Sequence, residues 1–227
     1  MLGPMPRQPE PEVMDEPKAV EAYALSDFSD VNQKFVDALL ELAAPAEEAD
    51  VIDLGTGPGD IPIRIARARP RWRIVAVDAS APMLKFARKA ARNAGLSKKI
   101  RFLKLDVKRT GLAPCSFDVV CSNSILHHLA DADAFWREVK RLAKPGAFIL
   151  LRDLARPRTR RAAIRIVQKY GSCGPELMQR DYYNSLLAAY TVEEVRGQLA
   201  EAGLIGLEVR MVSDRHWDAF GRLPSKA

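Results

Sequence analysis

The chain has 227 residues, 48% of them apolar and 28% charged, with 35 Lys and Arg against 29 Asp and Glu for a formal net charge of +6. This balance is near the globular average and excludes a largely disordered, collagen-like or coiled-coil chain, while the length suits one domain with its own core. No run approaches the ~18 uninterrupted apolar residues of a membrane span, the first residues lack a basic-then-apolar leader pattern, and Cys115, Cys121 and Cys173 share no CxxC spacing. The expectation is a soluble cytoplasmic protein with reduced thiols, no bound metal and no membrane partner.

Residues 1–18 carry Pro4, Pro6, Pro9, Pro11 and Pro17 with few large apolar groups, which predicts a flexible tail ahead of a single domain over 19–227. From Asp30 onward, Val31, Phe35, Val36, Leu39, Leu40 and Leu42 recur at helical spacing until Pro45. The next hundred residues alternate short apolar runs with longer amphipathic stretches, the pattern of βα units that build a parallel sheet. Strands are expected at 50–54, 73–78, 100–105, 117–122 and 147–151, with helices at 61–68, 82–94 and 132–142 between them. Strands this uniformly apolar imply helices on both faces. After Asp153 the rhythm breaks into a cap insertion over 156–190, which holds a basic stretch from Arg156 to Lys169, an irregular segment with Gly171, Gly174 and Pro175, and a helical pattern over 176–189. Thr191, with Glu194 three residues on, forms a capping box for a helix that stops before Gly203. Strands at 204–212 and 216–220 then close the sheet as a hairpin turning near Ser213 and Asp214.

The most informative run is Val51-Ile52-Asp53-Leu54-Gly55-Thr56-Gly57-Pro58-Gly59-Asp60, an apolar strand entering a glycine-rich turn and then a helix. Glycines let the backbone turn sharply and let a ligand approach the helix N-terminus. A dinucleotide fingerprint would place its third glycine at residue 60, which is aspartate. The spacing is GxGxG instead, with Asp53 two positions before the first glycine. Asp78 ends the second strand, where a carboxylate can take both hydroxyls of a ribose, and Asp106 follows the third. Phe117 to Leu129 and the turn from Leu142 to Ala147 complete an ordered set of signatures.

Over roughly Asp50 to Asp153 this set resembles the class I S-adenosylmethionine-dependent methyltransferases. The resemblance implies an α/β, Rossmann-like fold: a seven-stranded, mostly parallel sheet with helices on both faces, an antiparallel last strand and a helical lid and cap. It implies S-adenosyl-L-methionine as cofactor, released as S-adenosyl-L-homocysteine. Asp53 would face the methionine amino group, Gly55, Thr56, Gly57 and Gly59 would form the loop, and Asp78 would hold the ribose. Ala79 and Met83 would cover the adenine faces, Asp106 and Val107 its edge, and Asn123 and Ser124 would lie near the sulfonium.

Methyl transfer from a sulfonium is an in-line displacement that asks mainly for alignment and, for a protonated acceptor, a base. His128 and Asp153 are rival candidates for that base. Tyr23 and Phe28 are candidates for a lid over the cofactor, and His127, Tyr182, Tyr183, Asn184 and Tyr190 for substrate contacts. The stretch Asn123-Ser124-Ile125-Leu126 lacks the proline pair and aromatic residue of amino-group methylases of DNA or glutamine. The basic surplus collects partly on flanking elements, but Arg156 to Lys169 holds six cations and no acid beside the expected substrate mouth. The reading is a methyltransferase acting on a small molecule, an anionic one if the basic stretch binds it, as monomer or homodimer, against two alternatives: an RNA methyltransferase, and a diverged cofactor-binding protein that uses the sulfonium otherwise.

Overall fold

Parallel pairing of five consecutive apolar runs builds the centre of the molecule. The computed structural model describes residues 5–43, 46–172 and 174–225, so the expectations resting on Pro4, Pro45 and Cys173 lie outside the described residues. The elements in chain order are α1 (Pro17–Leu25), α2 (Ser29–Ala43), β1 (Asp50–Leu54), α3 (Asp60–Ala68), β2 (Arg73–Asp78), α4 (Ala81–Asn93), β3 (Ile100–Lys104) and β4 (Phe117–Asn123). A 3-10 turn (Leu126–His128) leads to α5 (Asp133–Leu142), β5 (Ala143–Leu154), α6 (Arg160–Tyr170), α7 (Glu176–Ala188), α8 (Val192–Glu201), β6 (Glu208–Met211) and β7 (His216–Arg222). The seven strands lie in the order β3-β2-β1-β4-β5-β7-β6, with β7 antiparallel to both of its neighbours. This is the expected Rossmann-like sheet.

Two apolar layers sandwich it. Phe35, Leu39, Ile65 and Trp72 pack on one face, and Phe135, Trp136, Leu142 and Leu199 on the other, all essentially without solvent exposure. A third, smaller cluster of Leu154, Ala163, Val167, Leu186 and Leu187 holds α6 and α7 together as the cap. The Thr191–Glu194 capping box forms as expected. Among the described residues no helix is long and apolar enough to cross a membrane.

Three expectations change. The strand expected at 204–212 begins only at Glu208, because Leu204 N–H turns back to Leu199 O and Leu207 N–H to Leu204 O, closing the end of α8. Helix α1 starts inside the expected tail: Pro17 suits a first helical turn, and the Glu16 carboxylate accepts from Ala19 N–H at 2.7 Å. The tail itself, over its described residues, is laid across the body as an extended strap. A proline-rich segment makes few backbone bonds of its own, so its side chains find partners elsewhere. Arg7 donates to Ala188 O, His127 O and Leu129 O and sits 4.0 Å over the Tyr190 ring, Gln8 N–H donates to Leu187 O, and Glu12 pairs with Lys108.

The basic stretch is also redistributed. Arg156 is buried and donates to Met5 O and Ala189 O, and Lys169 pairs with Asp214. Arg158, Arg160, Arg161 and Arg165 are exposed on or beside α6. The helical period explains this, since only one face of α6 can reach the cap core.

Strands β5 and β7 are tied by a fully buried ion pair. Arg152 lies directly opposite Asp218 and binds it through two bonds of 2.6 and 2.7 Å. Removing one partner strands the other charge in the interior. Asp218→Ala is therefore expected to lower unfolding free energy by about 3–5 kcal/mol, measured by urea denaturation, with a much smaller loss for an exposed control such as Glu201→Ala.

Candidate functional site

Parallel strands end on the same side of the sheet, so the loops after β1, β2, β3 and β4 converge there. They surround a cavity of about 390 Å³ that α1, α2 and part of the strap cover. The loop after β1 is pinned to β2: Gly55 and Thr56 N–H both donate to Val77 O at 2.9 Å, and Gly57 N–H donates to Asp78 Oδ2 at 2.7 Å. Gly57 has φ +53°, in the region that favours glycine, and a Cβ there would meet nothing within 4 Å. Its open side faces the cavity space. Gly55 is crowded instead, since a Cβ would come within 2.7 Å of Ile125.

Asp78 also accepts from Ser80 N–H at 2.8 Å, and Ser80 Oγ caps α4 through Met83 N–H. Burial raises the Asp78 pKa, while the Ser80 and Gly57 bonds oppose the rise. Ala79, Met83, Asp106 and Val107 continue the wall, and Asp106 Oδ1 fixes its own turn by accepting from Lys108 N–H at 2.9 Å. On the other side, Asn123 Nδ2 donates to Asn32 Oδ1, and Asn32 in turn donates to Asp60, which pairs with Arg64. Ser124 follows with φ +62°, a strained conformation for a serine at a strand end.

Several polar atoms of this wall are left over. Asp53 Oδ2, Thr56 Oγ1 and Asn123 Oδ1 are buried with no hydrogen-bond partner among the described residues. Burial pushes Asp53 up to about 7; Thr56 opposes the rise and the Asp78 charge adds to it. Tyr23 and Phe28 stack at 4.9 Å on the lid side, and burial, helped by Asp78 and Asp153, pushes the Tyr23 hydroxyl up to about 12, so it stays neutral.

Of the residues predicted from sequence, Asp53, Gly55, Thr56, Gly57, Asp78, Ala79, Met83, Asp106, Val107, Asn123, Ser124, Tyr23, Phe28 and His128 share this one wall. Others do not. Gly59 lies off it, packed against Ala87. Asp153 does not face the mouth: it is 2% exposed, with Oδ1 2.5 Å from His127 Nδ1 and Oδ2 accepting from His127 N–H. Burial alone would raise its pKa, but His127 holds it below the usual carboxylate range. Conversely, burial opposes charge on His127, and the Asp153 carboxylate outweighs it and raises the imidazole pKa. His127 is thus a buried partner of Asp153, set behind His128.

The cap residues are displaced too. Tyr182 and Tyr183 pack on the cap cluster, Tyr190 donates to Leu129 O, and Asn184 is on α7 away from the cavity lining, as is every residue of the basic stretch. The reason is steric: the strap and α1 occupy the approach that the cap was expected to line. Sequence reading missed Glu10, Asn32 and Ile125. Asn32 is a polar position on an otherwise apolar helix face, a usable signal, whereas Glu10 sits in a segment with no periodicity at all.

The methyltransferase domain family matches residues 46–195, well over half of the chain. The chain belongs to that family. An uncharacterized methyltransferase of Mycobacterium tuberculosis is 34% identical over 124 residues, covering 55% of this chain and 60% of that protein. A demethylmenaquinone methyltransferase of a Roseiflexus species is 31% identical over 117 residues, covering 52% of this chain and 48% of its own length. The chain thus matches about half the length of these curated relatives. A solved S-adenosylmethionine-dependent methyltransferase of Aquifex aeolicus superposes with TM-score 0.65 at 20% identity over 92% of this chain and all of its own, which shows the shared fold.

In this methyltransferase fold the unpaired Asp53 carboxylate has a measurable cost. Its folded pKa near 7 lies above the unfolded carboxylate value, so the cost is absent below about pH 4 and grows until pH 7. Asp53→Asn is expected to match the native protein at pH 4 and to exceed it by a few kcal/mol at most (~4 at the limit) at pH 8 in urea unfolding without ligand.

Proposed function

We propose that this protein transfers the methyl group of S-adenosyl-L-methionine to a small organic acceptor. The observation that carries the reading is the single wall on which Asp53, the Gly55–Gly57 loop, Asp78 and Asp106 meet at the carboxyl ends of β1, β2 and β3. Each fits one part of the cofactor. The unpaired Asp53 oxygen suits an ammonium group, the two Asp78 oxygens suit ribose hydroxyls alongside their main-chain donors, and Met83 with Val107 suits the faces of a purine. The open side of Gly57 gives room for the chain that joins them.

When bound, the cofactor supplies an electrophilic methyl whose bond to sulfur breaks, the electron pair remaining on sulfur, as the acceptor forms its bond to carbon. The protein's part is to align the two and keep water out. Tyr23 and Phe28 shield the cleft, and Tyr23, held neutral, presents a ring able to stabilise a cation. His128 is the ionisable group that reaches the cavity next to Asn123 and Ser124, and an acceptor's proton leaves at the cluster it forms with Glu10 and His127. A small acceptor is favoured because the lid and strap cover the cavity. An RNA substrate would need the exposed α6 arginines, and none of them lines it.

Titration calorimetry with S-adenosyl-L-homocysteine tests this. Gly57→Arg, whose side chain must enter the cavity, is expected to fold and to lose at least about tenfold in affinity, ~1.4 kcal/mol. Asp78→Asn is expected to lose about 1–3 kcal/mol. Binding an ammonium against Asp53 releases its proton, so native affinity should rise about tenfold per pH unit below pH 7 and level off above it. Unchanged affinity in both folded variants would sink the cofactor assignment, and methylation of unfractionated tRNA or rRNA would replace the acceptor class.

A further inference from the structure

His127 and His128 are consecutive in a 3-10 turn, so their imidazoles leave the same short stretch of backbone, with ring centroids 4.2 Å apart. Glu10 reaches them from the strap. Its Oε1 lies 3.1 Å from His128 Nδ1 and 3.7 Å from His127 Nε2, and one donor atom from each of the three residues falls within 4.8 Å of the others. An ion with tetrahedral bonds of ~2.0–2.1 Å separates its donors by about 3.3 Å. Two edges of the triangle already lie within a few tenths of an ångström of that value.

Hydrogen bonding and charge attraction to Glu10 account for only part of the convergence. His128 Nδ1 is buried and, although 3.1 Å from Glu10, approaches it off-line and has no hydrogen-bond partner among the described residues. His127 Nδ1 is taken by Asp153 at 2.5 Å, which leaves Nε2 as the nitrogen facing Glu10. A carboxylate behind the far ring nitrogen is how histidine ligands of metal ions are oriented. Ser185 Oγ donates to Glu10 Oε1 at 3.0 Å and steadies the third donor. Arg7, whose charge acts on His127, has its guanidinium engaged by the carbonyls of His127 and Leu129.

We propose that Glu10, His127 and His128 bind one divalent transition-metal ion of the zinc or ferrous class, with Asp153 and Ser185 holding two of the donors from behind. Two imidazoles and one carboxylate suit such ions and leave coordination positions open, whereas hard Mg²⁺ prefers oxygen donors. The site adjoins the cavity through His128. An oxygen-bearing acceptor bound there would lose its proton more readily, since a bound cation lowers the pKa of its oxygen ligand; His128 would then serve as a ligand and not as the base. The site also clamps the strap to the body, since Glu10 is its only donor from outside residues 127–128.

The full chain, stripped with a chelator, is titrated with Zn²⁺ against a chromophoric competitor and with Co²⁺ by visible spectroscopy, with Fe²⁺ under anaerobic conditions and Mg²⁺ as parallel arms. The expected result is one equivalent of Zn²⁺, ligand-field bands from Co²⁺, no saturable Mg²⁺ binding, and Zn²⁺ affinity at least ~10-fold weaker in both Glu10→Gln and His128→Ala. Tighter binding of Fe²⁺ than Zn²⁺, lost in the same variants, selects the ferrous member of the class. Absence of stoichiometric binding by the folded native chain, or binding unchanged in both variants, overturns the assignment. Thermal unfolding reports that each variant is folded, so failure of this site and failure of the methyl-transfer reading remain separate results.

Discussion

Asp78 accepts main-chain N–H groups on both oxygens, from Gly57 before it in space and from Ser80 after it in sequence. One carboxylate thereby couples the loop after β1 to the start of α4, and the cavity exists because that coupling holds its two walls at a fixed distance. The donors of the glycine loop are spent in the same way, since Gly55 and Thr56 N–H go to Val77 O. The space left at the loop is therefore set by its shape and by the open side of Gly57. Parallel pairing of β1 with β2 from Asp50–Arg73 to Leu54–Val77 sets the register that makes this possible.

Buried carboxylates elsewhere in the molecule are matched. Asp218 has Arg152, Asp153 has His127, and Glu138 has Thr110 and Arg141. Asp53 is the exception among the described residues, with one oxygen unpaired and only a 3.8 Å thiol contact from Cys121 on the other beside Thr56. An unmatched charge in a dry interior costs more than the bond it lacks, because the low dielectric that strengthens a pair also penalises a lone ion. On the function proposed above, the ammonium group of the cofactor would supply the missing partner at this end of β1, beside the loop.

The sheet was readable because each strand is a nearly continuous apolar run bounded by charged or glycine-rich residues, and β1, β2 and β4 fall within one residue of their expected limits. The cavity wall was readable for the same reason: Asp53, Asp78 and Asp106 sit at strand ends, so locating the strand locates the carboxylate. Asp153 shows the limit of that logic. It too stands near a strand end, but β5 runs on to Leu154 and pairs with β7, which keeps the side chain inside the sheet layer and against His127. The strap was unreadable for a different reason. Prolines remove local periodicity, and the contacts of Arg7, Glu10 and Glu12 all join residues more than a hundred positions apart, except that of Glu12 with Lys108, 96 away.

The strap also explains how the C-terminal half can matter to a cavity it does not line. Tyr190 holds Leu129 O through its hydroxyl and carries Arg7 on its ring, Arg156 donates to Met5 O, and Leu187 O accepts from Gln8 N–H. Each contact runs from the cap to the strap or to the turn after β4. The strap in turn places Glu12 and Val13 on the cavity and Glu10 against the two histidines. Loosening the cap would therefore reach the site by releasing the strap, and the cluster of Glu10 with His127 and His128 is the point at which that release would be felt first, because one of its three members arrives from the strap and two from the turn after β4.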